Sequence, residues 1–105
     1  MKLERLYHFS DGTHQLIEVK RLDGEAGAPL SDTLKWLLLT KTSVIQEFTF
    51  KGMSQGEVEK REFEEGHLEF DDTQAKLILP SRTYTLKKVT AVEWPRKLIE
   101  QYLAD

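Results

Sequence analysis

The sequence has no cysteine, which excludes disulfides, thiol catalysis and thiolate metal sites. It has no apolar run near the ~20 residues that a membrane-spanning helix needs. Its opening, MKLERLYHF, mixes acid and base without an apolar centre, so no signal peptide is expected and the cytoplasm is the expected location. None of Ser10, Ser31, Ser43, Ser54 and Ser81 sits in a G-x-S-x-G nucleophile elbow, and the glycines form no phosphate-binding loop. There is no internal repeat and no low-complexity segment. Basic residues are in deficit too: 15 Lys and Arg against 18 Asp and Glu give a net charge of −3. A nucleic-acid-binding domain usually shows a basic footprint, so nucleic acid is not an expected partner. No cofactor is expected either.

What is present describes one ordinary domain over residues 1–105, with 39% hydrophobic and 31% charged residues. A chain of this size buries roughly 65% of its extended surface, enough for one modest core. That core must form around Thr33–Lys51, TLKWLLLTKTSVIQEFTFK, the most apolar run. Its second part alternates Val44, Gln46 and Phe48 against Ile45 and Glu47, the pattern of a strand. The first part, residues 31–41, fits a helix capped by Ser31 or Asp32, or a strand with Leu34, Trp36 and Leu38 on one face and Leu37 and Leu39 on the other. We favour the strand, because Thr40, Thr42 and Val44 continue a helix poorly and a hairpin well. A strand apolar on both faces needs cover on both, which makes it central.

Before it, Leu3–Arg21 reads as a hairpin about Asp11-Gly12, a strong two-residue turn signal. That register pairs Phe9 with His14, Tyr7 with Leu16, Arg5 with Glu18 and Leu3 with Lys20. One face then carries Leu3, Tyr7, Phe9 and Leu16, the other Leu6, Ile17 and Val19, and His8 and His14 point to opposite faces. Asp23–Pro29 is expected as a mobile loop, and Gly52–Gly56 as a turn. Glu57–Phe63 with His67–Asp71, and Lys76–Leu79 with Arg82–Val89, read as two further strand pairs. From about Pro95 to Ala104 the period changes to helical, with Leu98, Ile99, Tyr102 and Leu103 on one stripe.

The expected fold is therefore mainly β, an antiparallel meander of about seven strands forming a small barrel or sandwich, closed by one C-terminal helix that plugs an open end. The strand order, the final helix and the text WLLLTKTSVIQEF resemble the pleckstrin-homology-like fold, whose members bind phosphoinositides, peptides or partner proteins. The lipid-binding members carry bases around the first hairpin loop; here that loop is Ser10-Asp11-Gly12-Thr13, short and acidic, so a phosphoinositide is not expected.

Three groups of residues carry functional expectations. Glu57–Asp72 holds eight acids against two bases, and Arg82–Lys97 five bases against one acid; they read as neighbouring faces that balance each other, or as a polar surface that steers a partner protein through Glu62, Glu64, Glu65, Arg82, Lys87 and Lys88. His67, Glu69 and Asp71 alternate along a strand and would share a face able to hold a divalent cation, the basis of a metal-dependent enzyme reading. Trp36, Tyr84, Trp94 and Tyr102 read either as core or as an aromatic groove beside the C-terminal helix that takes a peptide. The leading expectation is a non-enzymatic protein-interaction module that uses the charged faces or that groove. The alternative is a carrier with an apolar ligand inside the barrel. A strand edge left open by the meander would also admit a second copy as a homodimer.

Overall fold

A computed structural model of the chain describes residues 1–24, 26–27, 33–48, 59–63 and 66–104, with residues 59–63 described at the level of their backbone. Among the described residues there are eight strands: β1 (Leu3–Ser10), β2 (Gln15–Arg21), β3 (Leu34–Leu39), β4 (Val44–Phe48), β5 (Glu59–Phe63), β6 (Gly66–Phe70), β7 (Gln74–Ile78) and β8 (Thr83–Lys88). The helix α1 (Arg96–Ala104) follows them. Within the ambiguous run, Leu34–Leu39 is thus the strand β3.

The strands form one sheet in the order β4-β3-β2-β1-β8-β7-β6-β5, with all neighbours antiparallel. The sheet curls, because one of its faces supplies a single buried cluster from strands at both ends. Phe9, Leu16, Trp36, Leu38, Phe48, Leu68, Phe70, Ala75, Leu77, Tyr84 and Leu86 pack together there, with Tyr7 against them. Aromatic rings join the two ends: Tyr7 stacks on Trp36 at 5.8 Å and meets Phe70 edge-on at 4.7 Å.

The helix lies against the outer face of the β1–β4 half instead of plugging a barrel end. Strand alternation dictates this position. Ile17, Val19, Leu37 and Leu39 point away from the inner cluster, and Ile99, with Leu98, Leu103 and Trp94, covers them. Lys35 reaches Glu47 at 3.3 Å, and Tyr102 donates its hydroxyl to the same carboxylate at 3.1 Å, which ties α1 to β3 and β4. Burial, and then the Glu47 carboxylate, pushes the Tyr102 phenol above its ordinary pKa.

The first hairpin corrects the expected register. Ser10 pairs with Gln15, Phe9 with Leu16 and Tyr7 with Glu18, two residues away from the Asp11-Gly12 solution. The loop is four residues long because Asp11 closes it. Its N–H donates to the His14 carbonyl at 3.1 Å, and its Oδ1 accepts the N–H groups of Thr13 and His14 at 2.8 and 2.6 Å. Gly12 adopts φ +91°, a left-handed conformation that suits glycine. The same device recurs at Asp71, which accepts Thr73 and Gln74 N–H at 2.7 and 2.9 Å. It appears again at Thr40, whose Oγ1 accepts Thr42 and Ser43 N–H at 3.4 and 3.3 Å.

A shift of two leaves the faces unchanged near the turn, but a bulge at Leu6 reverses them further back. Leu3 therefore joins the outer cluster and not the Tyr7 face, while Leu6 is left 37% exposed. A second bulge at Ile45 does the same to β4: Val44 packs outside, Phe48 inside, and Ile45 is 50% exposed.

Candidate interaction site

The sheet is continuous except where β1 meets β8. On its β2 side β1 is paired from Leu3 to Ser10, but on its β8 side it pairs only through Phe9 with Lys88 and Ser10 with Lys87. One more bond, from Val89 N–H to the His8 carbonyl at 2.8 Å, extends that contact. The two strands are staggered, as strands must be when a sheet curls towards a barrel. Each therefore overhangs the other by more than half its length.

Beyond the end of β1, the overhang of β8 is met by the first hairpin turn. The His14 ring meets Tyr84 edge-on at 5.0 Å, and the Arg82 guanidinium lies 4.3 Å from the same ring. At the other end, the overhang of β1 borders a cleft of about 360 Å³. It is lined by Arg5, Leu6, Tyr7, His8 and Phe9 on one side, and by Asp71, Asp72, Lys88, Val89 and Thr90 on the other.

His8 is buried behind this cleft, and its proton can be assigned. The Arg5 guanidinium can only donate, so its 3.0 Å contact makes His8 Nδ1 the acceptor. The ring proton then sits on Nε2 and donates to Gln15 Oε1 at 2.6 Å. Burial lowers the His8 pKa, the Gln15 bond raises it, and the Arg5 charge lowers it again, with a net downward shift. A neutral imidazole clamped on both nitrogens is a structural link and not a free acid–base group. Sequence reasoning separated His8 from His14, and each does hold different partners, but the buried Arg5–His8–Gln15 link needed the true register.

Across the cleft, the Asp71 carboxylate is held well below the usual carboxylate range, first by the Thr73 N–H, then by the Thr73 hydroxyl and the Gln74 N–H. Asp71 Oδ1 is therefore committed to its turn. The expected metal face resolves into a pair, His67 Nε2 with Glu69 Oε1 at 3.2 Å, with Asp71 occupied elsewhere. Among the described residues no three His, Cys, Asp or Glu side chains are grouped to hold a metal ion.

The four expected groove aromatics are divided between the two faces. Trp36 and Tyr84 belong to the inner cluster; Trp94 packs with α1 on the outer one, and Tyr102 is partly exposed beside Glu47. No groove holds all four. Of the expected partner-binding residues, Glu64 and Glu65 lie outside the described residues, as does the Glu62 side chain. So does the turn expected at Gly52–Gly56, and part of the Asp23–Pro29 loop.

Arg82 stands at the β7–β8 turn, and Lys87 and Lys88 are exposed at the end of β8. Lys87 lies opposite Gln74, and Lys76 stands between Glu69 and Thr85. Glu69, Gln74, Lys76, Thr83, Thr85 and Lys87 form an outer face of β6–β8 that α1 does not reach among the described residues. Arg82, over the Tyr84 ring, and Lys88, in the cleft lining, fall on the other side of the alternation. No helix among the described residues is long and apolar enough to cross a membrane. No protein-family model, curated protein or solved structure matches the chain.

Proposed function

We propose that the chain is a non-enzymatic protein-interaction module that docks an acidic protein surface on the outer face of β6–β8. The observation that carries this reading is the uneven cover of one sheet. The outer face of β1–β4 is buried under α1, while that of β7 and β8 presents Gln74, Lys76, Thr83, Thr85 and Lys87 to solvent. Among the described charges, Lys76 and Lys87 outweigh Glu69 there, and such a surface steers a complementary partner. The pleckstrin-homology-like resemblance points the same way, towards binding by a fixed β scaffold.

For a carrier of apolar ligands, the interior would have to open. Leu16, Leu68, Leu77 and Leu86 are at 0% exposure within it, so a ligand would displace packed side chains. That observation favours the docking reading over the carrier.

The test is capture from the source cell extract with the chain as bait, repeated with Lys76→Glu/Lys87→Glu. A protein retained by the parent chain, lost with the variant and released by moderate salt supports the proposal. Equal capture by both chains overturns it. A second arm heats the chain with divalent metals and with apolar ligands. A ligand at 100 times its dissociation constant stabilises by about 2.7 kcal/mol, which raises the midpoint of a domain this size by roughly 10 °C or more. Such a rise with an apolar ligand would replace docking by carriage, and one with a metal would restore the His67–Glu69 pair as a site.

A further inference from the structure

His8 is buried beside the seam where β1 meets β8, with both ring nitrogens bonded. That bonding fits a single protonation state. Arg5 donates to Nδ1 at 3.0 Å, and a guanidinium cannot accept a hydrogen bond in return. Once Nδ1 carries a proton, two donors and two positive charges face each other at contact distance. The other bond is insensitive to the change, because Nε2 donates to Gln15 Oε1 at 2.6 Å in either state. Protonation therefore breaks the Arg5 half of the link and spares the Gln15 half.

The groups around the ring decide where Arg5 goes. On β1 Arg5 itself faces His8, and on β2 the neutral Gln15 does. From the end of β8, Lys88 lines the same cleft, followed by Val89 and Thr90. The β6–β7 turn brings Asp71 and Asp72 to the opposite wall, and α1 adds no residue to the lining among the described residues. Two cations and two carboxylates thus balance while His8 is neutral. With His8 charged, cations outnumber carboxylates, and Arg5 is the cation that has lost its acceptor. Asp71 gives Oδ1 to Thr73 and Gln74, whereas Asp72 is exposed in the turn.

We infer that Arg5 is a two-position latch, held by His8 at neutral pH and by the Asp72 carboxylate across the cleft once His8 gains a proton. The second position draws the β6–β7 turn towards β1 and narrows the 360 Å³ cleft between them. Burial, the largest influence on His8, sets the transfer below the ordinary imidazole value of ~6.5. Carboxylates in general lose their charge only near ~3.9, which leaves a window for the new pair. The cleft is open at neutral pH and strapped in mild acid. This device is separate from docking on the β6–β8 outer face, so either can fail without the other.

The test follows the full chain by nuclear magnetic resonance while His8 titrates. At neutral pH the ring is the Nε2–H tautomer. As Nδ1 gains its proton, the Arg5 guanidinium and the Asp72 carboxyl carbon shift along the same curve. Asp72→Asn removes the second position and lowers the proton affinity of His8 about threefold or more. In an Arg5→Met chain, which has nothing to transfer, the same Asp72→Asn change moves His8 much less. A carboxylate acting on His8 without Arg5 would have equal effects in both backgrounds. The inference is overturned if the Arg5 and Asp72 signals stay still while His8 titrates, or if Asp72→Asn acts equally with and without Arg5. It is also overturned if His8 takes its proton only as the chain unfolds, read by circular dichroism.

Discussion

Strands β2 and β3 bury consecutive residues, Leu16 to Val19 and Trp36 to Leu39, whereas β7 and β8 bury every second one, Ala75 and Leu77, Tyr84 and Leu86. The two halves share one sheet and one inner cluster, so the difference lies on the outer face alone. Where α1 covers that face, the sequence reads as an apolar run, continuous in β3 and broken in β2 by the buried Glu18. Where it does not, the sequence alternates as a half-solvated strand should. The amphipathic helix and the two-faced strands are therefore each other's explanation. Neither could be stable in water without the other.

The largest effect that would sharpen this contrast is loss of packing beneath α1. Leu37→Ala and Ile99→Ala remove fully buried side chains from the helix-covered side and should each cost about 2–5 kcal/mol in denaturant unfolding. A cost below 1 kcal/mol at both positions would mean that α1 is not docked on the sheet in solution.

Next in size is a pH effect at the seam between the halves. Because the His8 pKa is lowered on folding, the unfolded chain binds more protons between the folded value and ~6.5. Stability is then complete above ~6.5 and is lost as pH falls through the folded pKa. His8→Gln should flatten the fall of stability below pH ~6.5, and an unchanged slope would remove His8 from the account.

The turn carboxylates act lower on the scale. The folded pKa values of Asp11 and Asp71 are depressed, chiefly by the N–H groups of His14 and Thr73 respectively. The stability they contribute is present above ~3.9 and fades as pH falls through their folded values. Asp11→Asn and Asp71→Asn should each reduce the acid sensitivity of the unfolding midpoint. The smallest effect belongs to the uncovered face. Lys76→Glu and Lys87→Glu should shift stability by no more than about 0.5 kcal/mol, and a larger loss would show that this face is packed.

Much of this architecture was legible. The strand pairs, the final helix and the centrality of residues 34–39 follow from alternation, turn chemistry and period. The helix position was legible in principle, since a strand apolar on both faces demands a cover and Leu98, Ile99, Tyr102 and Leu103 give the C-terminal helix an apolar stripe. Three features escaped for physical reasons. Asp11-Gly12 looks like a two-residue turn, but an aspartate that caps the third and fourth loop residues makes the four-residue loop. The recurrence of Asp-x-Thr at Asp11 and Asp71 was the available cue. The bulges at Leu6 and Ile45 left no mark, because an exposed apolar residue in a strand is common. The site at the β1–β8 seam depends on a stagger between strands far apart in sequence, which local patterns do not encode. Of the expected metal triplet, His67 and Glu69 pair with each other, while the turn takes one oxygen of Asp71, Oδ1.

Read from one edge to the other, the sheet runs β5, β6, β7, β8, β1, β2, β3, β4. That is chain order, interrupted once. Met1 and Ala104 border the same shallow depression beside α1. Joining the two ends with a short linker and opening the chain between Phe48 and Glu59 would give a permuted protein in which every strand pairs with its neighbour in sequence. The β1–β8 pairing, now closed across most of the chain, would become a connection through one helix. Folding rate falls as contacting residues grow more distant in sequence. The permuted chain should therefore fold faster than its parent to the same curled sheet.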